Sequence, residues 1–311
     1  MKYNLKSLMV LFGLGLALGA CNDADQFEEE QYEKIVYALS YSDYAFPISI
    51  KMTGAPVAGF VTAGLSGTIP DNEDITVTFE KDNDALLRYN ILNFDLDSTK
   101  YAKELAPSHF SIKDYTAVIK AGNPIGTMKI SIIPEGLSPD SIYMIPLKIK
   151  SVSKYKINEE LQTVLYRVML ENEYASQEEQ TSYFMKGREI KDDGSETMIA
   201  AGKRVFPISK NQIRTTHYTR PYQNNANYLR TNSMIITIAD DMTLTLEPTD
   251  KQVMQIEQIG GAKENYYGPD LTGTNRFNLH YKFRTRPYNI TEGTYGEWGK
   301  WKNIVETLKR Q

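Results

Sequence analysis

Cysteine occurs once and histidine three times in this 311-residue sequence. A single cysteine excludes a disulfide framework and any zinc site built from paired thiolates. His109, His217 and His280 lie far apart, with no H-E-x-x-H or paired-histidine spacing, so the sequence carries no metal signature. It also lacks a G-x-S-x-G elbow, a P-loop and a dinucleotide glycine fingerprint, the motifs that would point to hydrolase, nucleotide or nicotinamide chemistry. No catalytic residue, metal or cofactor is therefore expected, and the chain reads as a non-enzyme. No basic patch stands out, which argues against nucleic acid as a partner. The adjacent carboxylates Asp240 and Asp241 invite a glycosidase reading. A tight turn explains them more simply, because aspartate tolerates turn geometry and exposure.

The strongest positive signal is at the start. Lys2 and Lys6 precede an uncharged apolar run over residues 8–20, too short to span a bilayer and suited to a signal-peptide core. The run ends Leu18-Gly19-Ala20-Cys21, which resembles the bacterial lipobox, whose cysteine is acylated and becomes the mature N-terminus. A lone cysteine could be a core thiol or a nucleophile, but its position after an export segment favours lipid attachment. Several acyl chains anchor stably where one holds only marginally. The segment that follows, Asn22-Asp23-Ala24-Asp25-Gln26-Phe27-Glu28-Glu29-Glu30, reads as a solvated acidic tether. It is similar to the export signal that sends Bacteroidota lipoproteins to the outer face of the outer membrane.

Removing residues 1–20 takes away two of the 35 basic side chains and no acid, leaving 33 against 39 and a net charge near −6. About 290 mature residues suit two domains better than one. Twenty-one tyrosines beside three histidines is a skew seen in extracellular β proteins and carbohydrate binders.

Apolar and polar residues alternate repeatedly, the mark of half-buried strands. Ile75, Val77 and Phe79 form one such face; Met128, Ile130 and Ile132 a second; Val164, Tyr166, Val168 and Leu170 a third. Further strands are expected at 35–39, 45–52, 57–65, 115–119 and 142–152, with Pro146 placing the last at an edge or marking a bulge. Seven or eight strands separated by turn chemistry predict an immunoglobulin-like antiparallel sandwich over 32–172, with a helical turn at 84–92. Residues 171–181 are polar without strand period, so a linker is expected over 173–181. In the remaining 182–311, Met234, Ile236 and Ile238 lead through the two aspartates into Met242, Leu244 and Leu246, a hairpin pattern. Strands at 251–259 and 276–284 complete a second antiparallel β domain.

The densest non-alternating feature is aromatic: Tyr266-Tyr267-Gly268-Pro269-Asp270 and Tyr295-Gly296-Glu297-Trp298-Gly299-Lys300-Trp301, both loop-like in composition. Sugar rings present C–H faces that pack on aromatic faces, so Tyr266, Tyr267, Tyr295, Trp298 and Trp301 are candidate ligand contacts. The alternative is that the two tryptophans close the bottom of the domain as core. Residues 214–230, rich in tyrosine, arginine and asparagine, form either a second part of such a surface or a plain long connection.

Lipobox, acidic tether, a sandwich ending near Leu170, and a second β domain ending in Phe277-Asn278-Leu279-His280-Tyr281-Lys282-Phe283 and Ile304-Val305-Glu306-Thr307-Leu308-Lys309-Arg310 resemble a recurrent Bacteroidota architecture. These are two-domain surface lipoproteins, often found near SusC/SusD-like glycan-uptake systems, whose second domain is similar to calycin-type barrels. The resemblance implies a non-catalytic glycan-binding module, lipid-anchored in the outer membrane and facing the exterior, with SusC/SusD-like proteins as partners. It equally admits a carrier that encloses an apolar ligand in the C-terminal domain, or a structural or adhesion component. It implies no catalytic residues.

Overall fold

The computed structural model describes residue 30 and residues 32–311. The expected signal segment, Cys21 and the tether, Glu30 excepted, lie outside the described residues. Strand accounts for 49% of the structure and helix for 8%, so the protein is mainly β as expected.

Each alternating stretch of the first domain turns its apolar set into one shared core. Val36, Val61, Ile75, Phe79, Met128, Ile130, Tyr166 and Leu170 meet between two sheets and are all but fully buried. Burying an aliphatic or aromatic side chain of this kind stabilises by about 1.5–3 kcal/mol. One sheet runs in the order Lys156–Ile157, Ile35–Ala38, Val57–Leu65, Ile125–Ile132, Phe110–Ser111. The other runs Ala45–Lys51, Thr163–Glu171, Tyr143–Val152, Ile75–Lys81, Thr116–Ile119, with Lys103–Glu104 beside Tyr143–Val152. All eight expected strands are present; the three extra ones are two-residue pairings too short to leave a period. Ladders are mostly antiparallel, but Ala45–Lys51 lies parallel to Thr163–Glu171 over seven residue pairs.

Two local expectations need correction. Tyr143–Val152 is neither an edge nor bulged at Pro146, since it pairs on both sides and Pro146 lies opposite Leu165. The proline is tolerated because its backbone faces the point where Ile75–Lys81 ends. Asp82 donates its N–H to the Pro146 carbonyl (3.1 Å), and the chain then leaves the sheet, so no ladder acceptor is left waiting. Second, 84–92 is more than a turn. Asn83–Phe94 is a three-turn helix capped by Asp82, whose carboxylate accepts from Ala85 N (3.2 Å). It lays Ala85 and Tyr89 on Ala45, Met144 and Leu165, covering the outer face of the second sheet.

Residues 171–181 join the domains without behaving as a solvated tether. Tyr174 and Ala175 are buried in the second core. Asn172 donates to the carbonyls of Ser209 (2.7 Å) and Gln212 (2.9 Å) and accepts from the N–H groups of Tyr174 and Ala175. Gln177 bridges Leu170 N (2.5 Å) and the Pro139 carbonyl (2.7 Å). Nearby, Arg214 grips Asp140 of the sandwich with both Nη groups at 2.5 Å. The domains therefore meet through a fixed polar junction.

The second domain consists of two curled sheets. One runs Glu196–Arg204, Ser182–Ile190, Lys302–Arg310, Asn275–Thr285, Met254–Gln258, with Tyr266–Pro269 also on Asn275–Thr285. The other is Phe206–Ser209, Gln212–Thr216, Ser233–Ile238, Leu244–Pro248. The expected hairpin forms, with Asp241 accepting from Thr243 N (3.0 Å) in its turn. The strand expected at 251–259 is confined to Met254–Gln258, because Val253 and Met254 donate to the Asp250 carbonyl in a turn first. Where Leu244–Pro248 meets Met254–Gln258 no ladder forms. The Gln258 amide bridges instead, donating to the Leu244 carbonyl (2.9 Å) and accepting from Leu246 N (3.0 Å). The interior is filled by Tyr183, Met185, Met254, Phe277, Tyr281 and Phe283.

Candidate functional site

The strand Asn275–Thr285 explains both halves of its alternation. Phe277, Leu279, Tyr281 and Phe283 point into the core, which sends Asn278, His280, Lys282 and Arg284 to the outer face, with Arg286 just beyond. His280 is half-buried there and meets Asn303 Oδ1 through Nε2 at 3.1 Å. The chain then makes a short hairpin, Tyr288–Asn289 with Thr294–Tyr295, and returns alongside the strand. Gly299 N donates to the Thr285 carbonyl at 2.9 Å; a side chain on Gly299 would meet that carbonyl.

This return brings the aromatic residues between the cations. The Trp301 ring lies 4.8 Å from Lys282 and 4.7 Å from Arg284. The Trp298 ring lies 5.2 Å from Arg284 and 4.6 Å from Arg286, and the Tyr295 ring 4.4 Å from Arg286. The result is a ladder of alternating cations and rings. Tyr288 extends it, 5.0 Å from Tyr295 and under Arg230 at 4.8 Å. Each contact contributes about 0.5–1 kcal/mol at an exposed site, so together they hold the loop to the strand. Trp298 and Trp301 are half-buried and Tyr295 is 37% exposed. None belongs to the core, and all three keep part of their surface open to solvent.

The other two expected contacts do not join them. Tyr266–Pro269 is a strand rather than a loop, paired with Asn275–Asn278 at the opposite end of Asn275–Thr285. Tyr267, opposite the inward Phe277, packs edge-on to Tyr174 at 5.2 Å and closes the core. Tyr266 shares the outer face but stands six residues along the strand from Arg284, roughly 20 Å away. Glycine and proline in 266–270 made a strand resemble a loop. Residues 214–230 likewise divide: 214–216 belong to the strand Gln212–Thr216, and Ala226–Asn232 is a helix capped by Asn225. Tyr222 stacks on Phe206 (4.7 Å) beside a cleft of about 320 Å³ at the domain junction, lined also by Arg167, Arg204, Gln177 and Asn224. A groove of about 460 Å³ on the sandwich is lined by Ser111, Lys113, Asp114, Thr116, Thr127, Lys129 and Ser131, with no aromatic residue.

A buried polar group inside the second domain was not anticipated. Lys203 donates to the carbonyls of Thr216 (2.8 Å) and Tyr218, and Tyr281 donates to Glu306 Oε1 (3.1 Å). Glu306 Oε2 and both His217 ring nitrogens have no hydrogen-bond partner among the described residues. Burial raises the Glu306 carboxyl to about 7, with Lys203 opposing, and lowers Lys203 to about 8. Burial lowers His217 to about 3, and the cations Lys203 and Arg220 act in the same direction. The signal was present: Glu306 stands between Ile304 and Leu308 at an inward position of an alternating strand.

Residues 31–156 match the family model of an N-terminal domain and residues 162–309 that of a C-terminal domain. A protein of unknown function from Bacteroides ovatus has the same two-domain fold at a TM-score of 0.64 and 17% identity, covering 90% of this chain and 95% of its own. The two family models each cover one of the two domains and together span most of the chain. A second protein of unknown function from B. ovatus aligns at a TM-score of 0.58 and 14% identity over 93% of this chain and 94% of its own. An auxiliary nutrient binding protein from Bacteroides thetaiotaomicron aligns at 0.54 and 15% identity, over 88% of this chain and 94% of its own. No curated protein matches the sequence. At these identities the likeness establishes the fold.

Proposed function

We propose that the protein is a non-catalytic glycan-binding module, anchored through Cys21 in the outer membrane and displayed to the exterior, working beside SusC/SusD-like uptake proteins. The observation that carries the reading is that Tyr295, Trp298 and Trp301 are gathered on one outer face, half-exposed, rather than closing the core. Aromatic rings at the rim of a rigid β scaffold are suited to pack on sugar C–H faces. The auxiliary nutrient binding protein of similar fold is in keeping with this role. A non-catalytic role is supported by three carboxylates around the ladder that are held in ion pairs. Glu257 meets Lys282, Asp250 meets Arg230, and Glu189 meets Lys302. An enclosed apolar ligand fits less well, because the interior is occupied by large side chains and holds Lys203 and Glu306.

Ring contacts of this sort give weak binding, roughly millimolar to micromolar. Retention on glycan affinity gels should fall several-fold in Trp298→Ala and Trp301→Ala. Thermal stability should drop only by the about 0.5–2 kcal/mol of the cation–π contacts removed. Retention unchanged in both variants would sink the site. The anchor is tested separately: Cys21→Ala should abolish palmitate labelling and release the protein from membranes, and persistent labelling would exclude lipidation at that residue.

A further inference from the structure

The ladder holds more positive charge than its role as a clamp requires. Arg284 alone touches both tryptophan rings, so one guanidinium would suffice to pin the loop. Yet the strand adds Lys282 on one side and Arg286 on the other, three like charges at successive outer positions. Of the three, Lys282 is matched to Glu257 at 2.7 Å. Arg284 and Arg286 are not. Among the described residues neither forms an ion pair, and the acids of the adjoining loop, Glu292 and Glu297, pair with neither. Their polar partners are neutral: Arg284 Nε donates to Gln255 Oε1 (2.8 Å), and Arg286 Nε donates to the Gln252 carbonyl (2.5 Å).

These Nε bonds and the flanking rings fix each guanidinium in orientation. Their Nη groups have no partner among the described residues. A planar fork held in place, with its outer donors unmet, is matched to the two-oxygen edge of a carboxylate or sulfate. The same cations approach the tryptophan faces, which leaves less ring area for a purely neutral sugar than five free aromatic residues would offer.

We propose that this face binds an anionic saccharide, with Arg284 and Arg286 receiving its carboxylate or sulfate groups and Tyr295, Trp298 and Trp301 packing on the sugar rings. The proposal rests on the reading of the ladder as a glycan site and names the class of glycan.

The test uses the mature chain and three fluorescent probes: an oligogalacturonate, the same oligosaccharide fully methyl-esterified, and a κ-carrageenan oligosaccharide, which carries sulfate and no carboxylate. At low salt at least one anionic probe should bind about tenfold or more tighter than the neutral ester, an advantage that shrinks as sodium chloride is raised. Which of the two binds distinguishes carboxylate from sulfate. Arg284→Gln and Arg286→Gln should remove the advantage while leaving the unfolding midpoint within a few degrees; Arg284→Lys should restore part of it. Equal binding of acid and ester, still dependent on Trp298, would overturn the anionic class while leaving a glycan site. Binding of any probe that is indifferent to Trp298→Ala and Trp301→Ala would overturn the site itself. Failure of both anionic probes to bind would overturn the proposal.

Discussion

Glu306 and His217 show what single residues contribute that their neighbours do not. Glu306 enters the core beside Gly187, where any side chain would collide with the Val305 carbonyl and the Glu306 backbone, so the close approach of the two strands requires glycine. Folding raises the Glu306 carboxyl from an ordinary 4.5 to about 7. The folded state therefore binds that proton more tightly, and the stability it gives is complete below about 4.5 and lost as pH rises to about 7. His217 has the opposite sign. It is held neutral down to about 3, while the unfolded imidazole protonates below 6.5, so its contribution is lost as pH falls from 6.5. Lys203, lowered to about 8, stays charged throughout this window. Between about 4.5 and 6.5 the two slopes oppose each other. Glu306→Gln removes one of them, and its unfolding free energy should rise more steeply with pH over that range than that of the unaltered protein. Parallel slopes in denaturant titrations at pH 5 and 6.5 would mean that Glu306 is ionised in both states.

At the scale of elements, alternation was legible wherever one face of a strand is wet. Ile75 to Phe79 and Met128 to Ile132 announce themselves because their intervening residues meet solvent or the sheet rim. Composition misled where polar side chains bond to backbone instead of water. Residues 171–181 read as a polar linker, yet Asn172 serves four backbone groups and Gln177 two. Each such bond contributes about 0.5–1.5 kcal/mol net, so Asn172→Ala should destabilise by about 2–4 kcal/mol and expose the junction to limited proteolysis. Asn172→Asp keeps the two acceptor bonds but sets a buried carboxylate oxygen against the Ser209 and Gln212 carbonyls, so it should destabilise at least as much. Equal stability of all three proteins would return the segment to the status of a tether. Tyr266 and Tyr267 failed as loop residues because Gly268 and Pro269, which read as turn chemistry, continue a strand that pairs with the start of Asn275–Thr285 in a local hairpin.

At the scale of the whole molecule, the order of sandwich, junction and curled second domain follows from strand periods, while the ladder needed the fold. The sequence places Trp298 and Trp301 close together, but nothing local says that the outer positions 282, 284 and 286 stand opposite them. That pairing arises because Lys302–Arg310 lies beside Asn275–Thr285 and turns the loop back over it. It also supplies a reporter, since these are the only two tryptophans in the protein. Tryptophan emission therefore reads this face and no other. Titrating a retained glycan into the protein should shift or quench tryptophan emission saturably, with the same midpoint as binding followed by calorimetry, and acrylamide quenching should fall as the rings are covered. Saturable heat of binding with tryptophan emission and acrylamide access both unmoved would contradict the account.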